Sequence, residues 1–234
     1  MAGCTGPWTF LGGRWESPAE RPAVHPRPLA VGSDPAGKGS VRLFIALHLA
    51  PATRAEIESF QDGLRAADHA RQVRWVDPGG IHLTLQFLGE VPEDRAPALV
   101  QALGHAVSAH GACRLGLAGA GAFPNLRRAR VLWLGLVEEG NALQALHRAV
   151  ESATEPLGWQ PERRPFQPHL TLGRVREGQG GRPLELRSEL QHAVERVVPP
   201  GSEPRLHDRV ALIRSHLSSA GARYEDLHSW RLAE

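Results

Sequence analysis

The tetrapeptide His-Leu-Thr-Leu occurs twice in this chain, beginning at His82 and again at His169. Both copies stand in runs typical of strands, GIHLTLQFLGE and QPHLTLGRV. Side chains two positions apart in a strand lie on the same face. Each copy therefore places its histidine with its threonine, Thr84 or Thr171, on one face and its two leucines on the other. The repeat predicts a duplicated unit whose halves each contain one such strand.

Strand and helix patterns alternate along the rest of the chain. Apolar residues at helical spacing predict helices over residues 51–67, 92–110, 142–158 and 184–197. Compact apolar runs predict further strands over residues 40–49, 113–123, 129–139 and 208–217, the last followed only by a short tail. Asn141 is suited to cap the third of these helices, and Trp75 and Trp133 are expected in the core. This alternation predicts an α+β fold.

Composition separates the chain into two parts and excludes some classes of protein. Residues 1–40 are rich in Pro, Gly and Ser, which predicts a flexible extension before a folded domain at residues 41–234. There is no apolar run of membrane-spanning length and no secretory pattern, so we expect a cytoplasmic protein without a membrane span. The net charge is only +2, which by itself indicates no nucleic-acid partner. The 2 cysteines form neither a disulfide framework nor a zinc cluster.

Two histidines and two threonines facing one cleft suit the displacement of a phosphodiester. Such a reaction needs a base on the attacking oxygen and an acid on the leaving oxygen, and imidazole titrates near pH about 6.5. Threonine hydroxyls can hold the non-bridging oxygens. This scheme requires no metal or other cofactor. A single His-x-Thr is more often structural, and zinc would need further ligands that neither motif supplies.

At this point the sequence resembles the 2H phosphoesterase superfamily, named for two such motifs. Within it, the chain is similar to the bacterial and archaeal RNA 2′,3′-cyclic phosphodiesterases, also called 2′-5′ RNA ligases. The resemblance covers residues 41–227 and includes RLFIAL, RWVDPGGIHLTLQFLGEV, FPNLRRARVLWLGL, PFQPHLTLGRV and RSHLSSAGARYE. It implies a bilobal α+β fold, in which two pseudo-symmetric lobes of antiparallel sheet plus helices enclose a central cleft.

The resemblance also implies an activity and roles for the motif residues. Members hydrolyse a 2′,3′-cyclic phosphate at an RNA end to a 2′-phosphomonoester, and in vitro they join RNA ends reversibly through 2′-5′ bonds. His82 would protonate the leaving 3′-oxygen and His169 would activate water, although the pseudo-symmetry leaves this order open. Thr84 and Thr171 would hold the phosphate oxygens. The expected partner is RNA with a 2′,3′-cyclic phosphate end, bound by a monomer.

Four further residues near the motifs are candidates for substrate contacts: Phe44, Arg130, Arg174 and Phe166. Phe44 resembles a family position close to the phosphate, and a core aromatic is the competing interpretation. Arg174 lies an odd number of positions after His169, so a regular strand would place it on the opposite face. Two other functions stay open from the sequence. One is action on 2′-5′ linked oligonucleotides or small cyclic nucleotides, and the other is binding of RNA ends without catalysis.

Overall fold

The two repeated motifs lie side by side in the middle of one sheet. The structure is a computed structural model that describes residues 9–11, 14–16, 39–178, 181–196, 203–218 and 221–233. Leu83 of the first motif is paired with Leu170 of the second across two antiparallel strands. Both leucines are fully buried, at 0% exposure each. The core therefore closes over the point where the two halves of the chain meet.

Eleven strands and four α-helices are present in the described residues. The strands are β1 Thr9–Leu11, β2 Arg14–Glu16, β3 Ser40–Leu47, β4 Val73–Trp75, β5 Leu83–Pro92, β6 Cys113–Phe123, β7 Val131–Glu138, β8 His169–Val175, β9 Arg205–His207, β10 Arg209–Ser218 and β11 Gly221–Arg231. The helices are α1 Pro51–Ala67, α2 Ala96–Ser108, α3 Ala142–Thr154 and α4 Ser188–Arg196.

The main sheet is symmetric about the contact between β5 and β8. Its strands follow the order β11-β10-β3-β5-β8-β7-β6-β9, and β4 pairs with β8 beside this path. All pairings between the named strands are antiparallel. In each half a strand, a long helix and a motif strand follow in sequence: β3, α1 and β5, then β7, α3 and β8. The predicted α+β class with two similar halves is confirmed, and the halves share one continuous, curled sheet.

Apolar side chains on one face of the sheet pack against the helices. All four leucines of the two motifs are buried in this core. The helices contribute buried apolar residues at helical spacing, among them Ile57 of α1, Leu99 and Leu103 of α2, and Leu146 of α3. The other face of the sheet carries the histidines and threonines, which are half-buried.

Each motif strand contains a β-bulge at its second leucine. Opposite β3, the register passes from Thr84 to Gln86, so Leu85 is the extra residue. Opposite β7, it passes from Thr171 to Gly173, so Leu172 is the extra residue. An extra residue reverses the alternation of side chains beyond it.

The bulge corrects the expectation for Arg174. A regular strand would place this residue on the face opposite His169, but the extra residue returns it to the same face. Leu172 and Gly173 are both buried on the core side, and Arg174 is exposed. A Cβ on Gly173 would approach Val73 Cγ1 to 2.5 Å, which explains why the bulge has a glycine there.

The short tail predicted after residue 217 is wrong, because β11 pairs with β10 over its whole length. This edge strand is polar and largely exposed on both faces, so it lacks the alternation that reveals a strand.

The side chain of Asn141 does not cap α3; the Glu138 carboxylate accepts the Leu143 N–H instead. The flexibility predicted for residues 1–40 falls mainly outside the described residues, within which β1 pairs with β2.

We expect Gly173→Ala to destabilise the fold by about 1–3 kcal/mol, because its Cβ would collide with Val73 and crowd the Arg74 carbonyl. The matched control is Gly63→Ala within α1, where a Cβ meets nothing within 4 Å. That change should be neutral or stabilising by up to about 1 kcal/mol. Urea unfolding of both variants measures the difference, and equal stabilities would contradict this account of the bulge.

Candidate active site

The pairing of β5 with β8 brings both His–Thr pairs to one place. Because the strands are antiparallel about Leu83 and Leu170, the register places His82 beside Thr171 and Thr84 beside His169. All four of these polar side chains lie on the face away from the helices. Each histidine thus has as its cross-strand neighbour the threonine of the other motif, and the four groups occupy adjacent positions on one face of the sheet.

The imidazole of His82 is held between two aromatic rings and a turn. It stacks on Phe44 with ring centroids 4.6 Å apart, and Tyr224 meets it edge-on at 5.0 Å. Its Nδ1 lies 2.8 Å from the carbonyl oxygen of Gly80. A carbonyl only accepts, so Nδ1 carries the hydrogen and Nε2 keeps the lone pair. The Asp77 side chain accepts the Gly79 N–H at 2.8 Å and fixes this turn.

His169 is held in the same way by different residues. Its Nδ1 lies 2.8 Å from the carbonyl oxygen of Gln167, which again stands two positions before the histidine. Phe123 meets the ring edge-on at 5.0 Å, and Trp133 packs behind Phe123 at 5.3 Å. Both imidazoles therefore have the same tautomer, with Nε2 as the nitrogen available to exchange a proton.

The surroundings of both rings favour the neutral imidazole. Burial lowers the pKa of His82 to about 4. The Gly80 hydrogen bond opposes this shift, and the nearby positive charge of Arg54 adds to it. Burial also lowers the pKa of His169, and the Arg174 guanidinium lowers it further. Both histidines are therefore neutral at pH 7 in the unliganded protein, and each can accept a proton when an anion approaches.

A third histidine, His48, borders the site and is satisfied by its neighbours. Arg54 donates to its Nδ1 at 3.3 Å, so its Nε2 donates to Asp226, 3.0 Å away. Arg209 also contacts that carboxylate, at 2.9 Å. This network fixes His48 as a neutral, positioned ring.

The four additional candidate residues are not all brought to the cleft. Phe44 is at the site but only 3% exposed, with its ring against His82. Arg174 lies near enough to perturb His169. Arg130 is exposed at the end of the cleft, and its carbonyl accepts the Val175 N–H at 2.9 Å. Phe166 lies elsewhere, stacked on His147 at 4.0 Å and packed into the core.

Several residues at the site escaped the sequence analysis. Tyr224 lies in the segment predicted to be a tail. The one sequence feature that could have drawn attention to it is that it is the single tyrosine of the chain. Trp133 was expected in the core, but its Cα is paired with that of Thr171 and it lies on the site face. Phe87 is 53% exposed with its ring 5.9 Å from that of Phe44. Phe123 was not predicted because the pairing of β6 with β7, which places it near His169, is not visible in the local sequence pattern.

Within the described residues, no three His, Cys, Asp or Glu side chains cluster as a metal site would require. Over the same part of the chain, none of the helices has the length and apolar character of a membrane span.

Comparison with known proteins identifies the family. The family model described as the 2′-5′ RNA ligase superfamily matches residues 49–218. The chain belongs to this superfamily. It is 36% identical over 193 residues to the RNA 2′,3′-cyclic phosphodiesterase of Methanothermobacter thermautotrophicus, covering 82% of this chain and 99% of that protein. A protein of the same description from Aquifex aeolicus is 32% identical over 152 residues, covering 64% and 77%. The resemblance noted in the sequence is confirmed.

Solved structures of superfamily members have the same fold. The complex of E. coli LigT with 3′-AMP matches with a TM-score of 0.65 and 27% identity, over 83% of this chain and 99% of that one. The protein TT0787 of Thermus thermophilus matches with a TM-score of 0.64 and 27% identity, over 81% and 97%.

We expect the His82 ring to titrate near pH 4, well below about 6.5 for an exposed imidazole. Phe44→Ala admits water to the ring and should move its pKa upward, whereas Phe44→Leu keeps an apolar cover and should leave it low. NMR titration of the histidine ring signals measures both. A His82 pKa at or above that of an exposed imidazole in the unaltered protein would contradict the role of burial.

Proposed function

We propose that this protein is a metal-independent RNA 2′,3′-cyclic phosphodiesterase that hydrolyses a terminal cyclic phosphate to a 2′-phosphomonoester. The observation that carries the proposal is the Leu83–Leu170 pairing, which gathers both His–Thr pairs on one face of the sheet. Relatives of that description at up to 36% identity support the substrate class. A monomeric state and a cytoplasmic location stay predictions.

The threonines bind and stabilise the phosphate in this proposal. A cyclic phosphate at the centre of the four groups lies within reach of the hydroxyls of Thr84 and Thr171, which donate to its two non-bridging oxygens. Negative charge on these oxygens grows as water attacks, so hydroxyls fixed on a rigid strand stabilise the transition state more than the ground state. The exposed ring of Phe87 beside the cleft offers a face on which the terminal base can stack.

The histidines transfer the protons. Water attacks phosphorus in line with the 3′-oxygen, and neutral His169 takes a proton from that water through Nε2. The bond between phosphorus and the 3′-oxygen breaks, and protonated His82 donates its proton to that oxygen. The products are a 2′-phosphate and a free 3′-hydroxyl, and proton exchange with solvent restores both imidazoles.

Substrate binding supplies the charged form of His82. Its pKa of about 4 in the unliganded site is too low for an acid at neutral pH. A phosphate anion beside Nε2 favours the imidazolium, and the attraction is strongest where water is most excluded. Burial lowers the pKa of both imidazoles, so a bound phosphate raises the pKa of either one, and the division of roles is decided by the thiolate experiment below.

The same groups can join RNA ends. If the 5′-hydroxyl of a second RNA takes the place of water, the same displacement makes a 2′-5′ bond, and the reverse step breaks one. We propose this ligation as a secondary activity that depends on the same two histidines.

His82→Ala and His169→Ala should each reduce kcat/KM by about 10²–10⁴, since each loses one proton transfer. Thr84→Ala and Thr171→Ala should each lose about 10²–10³. The assay measures hydrolysis of an oligonucleotide ending in a 2′,3′-cyclic phosphate in EDTA. His192→Ala, at an exposed position on α4, is the control and should match the unaltered enzyme.

Two results would overturn this proposal. Full activity in either histidine variant would remove the two-histidine mechanism, and activity that requires added metal would remove the metal-independent one. RNA binding without turnover by the unaltered protein would instead establish an RNA-end-binding function.

The division of roles has its own test. A cyclic substrate with sulfur in place of the bridging 3′-oxygen releases a thiolate, which leaves without needing a proton. His82→Ala should recover most of its lost activity on this substrate, relative to the unaltered enzyme. His169→Ala should remain impaired, because the base is still missing. Recovery in His169→Ala instead would reverse the two roles.

A further inference from the structure

An arginine-rich pocket lies at the far end of the second motif strand. Its volume is about 490 Å³, and it opens between the C-terminal end of α1, the edge strand β4 and the residue that follows β8. Four arginines, Arg65, Arg71, Arg74 and Arg176, line it together with the single carboxylate of Asp68. Neither catalytic histidine is among its lining residues.

The strand register connects this pocket to the site. Arg74 of β4 is directly opposite Arg174 of β8, so their side chains project from the same face of the sheet. Arg176 follows two positions after Arg174, and its N–H donates to the Gln72 carbonyl at 2.7 Å, which continues the pairing. The β8 bulge places this face in line with His169. Arginines therefore continue from the catalytic centre to the pocket.

Three arginines of this path have no carboxylate partner among the described residues. In the described part of the chain, no carboxylate lies within 4.0 Å of the guanidinium groups of Arg74, Arg174 or Arg176. The nearby Asp68 is buried and accepts the Gln72 and Val73 N–H groups at 2.8 and 3.1 Å. Like charges directly opposite each other destabilise a strand pair. An anionic ligand along the path removes that repulsion.

We propose that this path binds the phosphodiester backbone of single-stranded RNA upstream of the terminal cyclic phosphate. The proposal rests on the proposed function and specifies its substrate as an oligonucleotide. At about 3.3 Å per residue, Arg176 lies roughly 16 Å along β8 from Thr171, a distance that spans several nucleotides. Arginine forks match phosphate oxygens, so Arg74, Arg174 and Arg176 can each bind a backbone phosphate.

The test uses the double variant Arg74→Gln/Arg176→Gln, with Arg148→Gln as the control. All three arginines are exposed, and Arg148 lies on α3, on the helical side of the sheet. Fluorescence anisotropy measures binding of a labelled single-stranded RNA of about eight nucleotides that ends in a 2′-phosphate and is not turned over. Competition with 2′-AMP reports the catalytic centre alone.

The double variant should bind the RNA about tenfold more weakly, and the slope of log affinity against log salt should fall by about 1.4, or about 0.7 for each lost phosphate contact. Its affinity for 2′-AMP should remain within about twofold, and Arg148→Gln should change neither ligand. Unchanged RNA binding in the double variant, an equal loss for RNA and 2′-AMP, or an equal loss in Arg148→Gln would each overturn the proposal.

The anisotropy measurement of RNA binding also distinguishes the arginine path from the proposed hydrolytic activity. If the unaltered enzyme does not hydrolyse cyclic phosphate ends, the proposed function fails, while anisotropy still decides whether the arginine path holds RNA. If hydrolysis of a cyclic mononucleotide persists in the double variant while RNA binding is unaffected, the proposed function stands and the path is wrong.

Discussion

The pairing of Leu83 with Leu170 is the contact on which the site depends. Each half of the chain supplies one histidine and one threonine, so the proposed two-histidine mechanism requires the two motif strands to meet in one fixed register. A slip by one residue would turn both histidines toward the core. Burying a leucine contributes about 1.5–3 kcal/mol, and here two fully buried leucines specify that register. The hydrophobic core thereby sets the geometry of the polar groups on the opposite face.

The two halves of the sheet carry different side chains immediately beyond the motifs, and this difference can orient a bound nucleotide. Each strand bulges at its second leucine, and the bulge returns the residue five positions after the histidine to the site face. That residue is Phe87 in one half and Arg174 in the other. The pseudo-twofold axis relates these two positions, but an apolar ring and a cation are not equivalent binding groups. A nucleotide with an apolar base and an anionic chain therefore has a preferred direction in a nearly symmetric cleft.

The spacing of apolar residues in the sequence was enough to predict those helices and strands that bury one face in the core. The helices followed from their apolar spacing, and alternation placed each histidine with the threonine of its own motif. That the two pairs share one cleft was implied by the family resemblance. β11 was missed because an exposed edge strand has no buried face to mark it. Arg174 was placed on the wrong face because a bulge depends on cross-strand packing, here the fit of Gly173 against Val73. The aromatic partners of the histidines come from distant strands, which no local pattern reveals.

The same aromatic partners explain why binding and protonation are linked in this site. Phe44 and Tyr224 exclude water from His82, and this lowers its pKa in the unliganded protein. The same exclusion strengthens the attraction between imidazolium and a bound phosphate, because less solvent screens it. In the proposed mechanism, the imidazolium that serves as the acid is therefore formed mainly when an anion is bound. Anchoring of Nδ1 by the Gly80 carbonyl completes this arrangement, since it leaves Nε2 as the position at which that proton can be held and released.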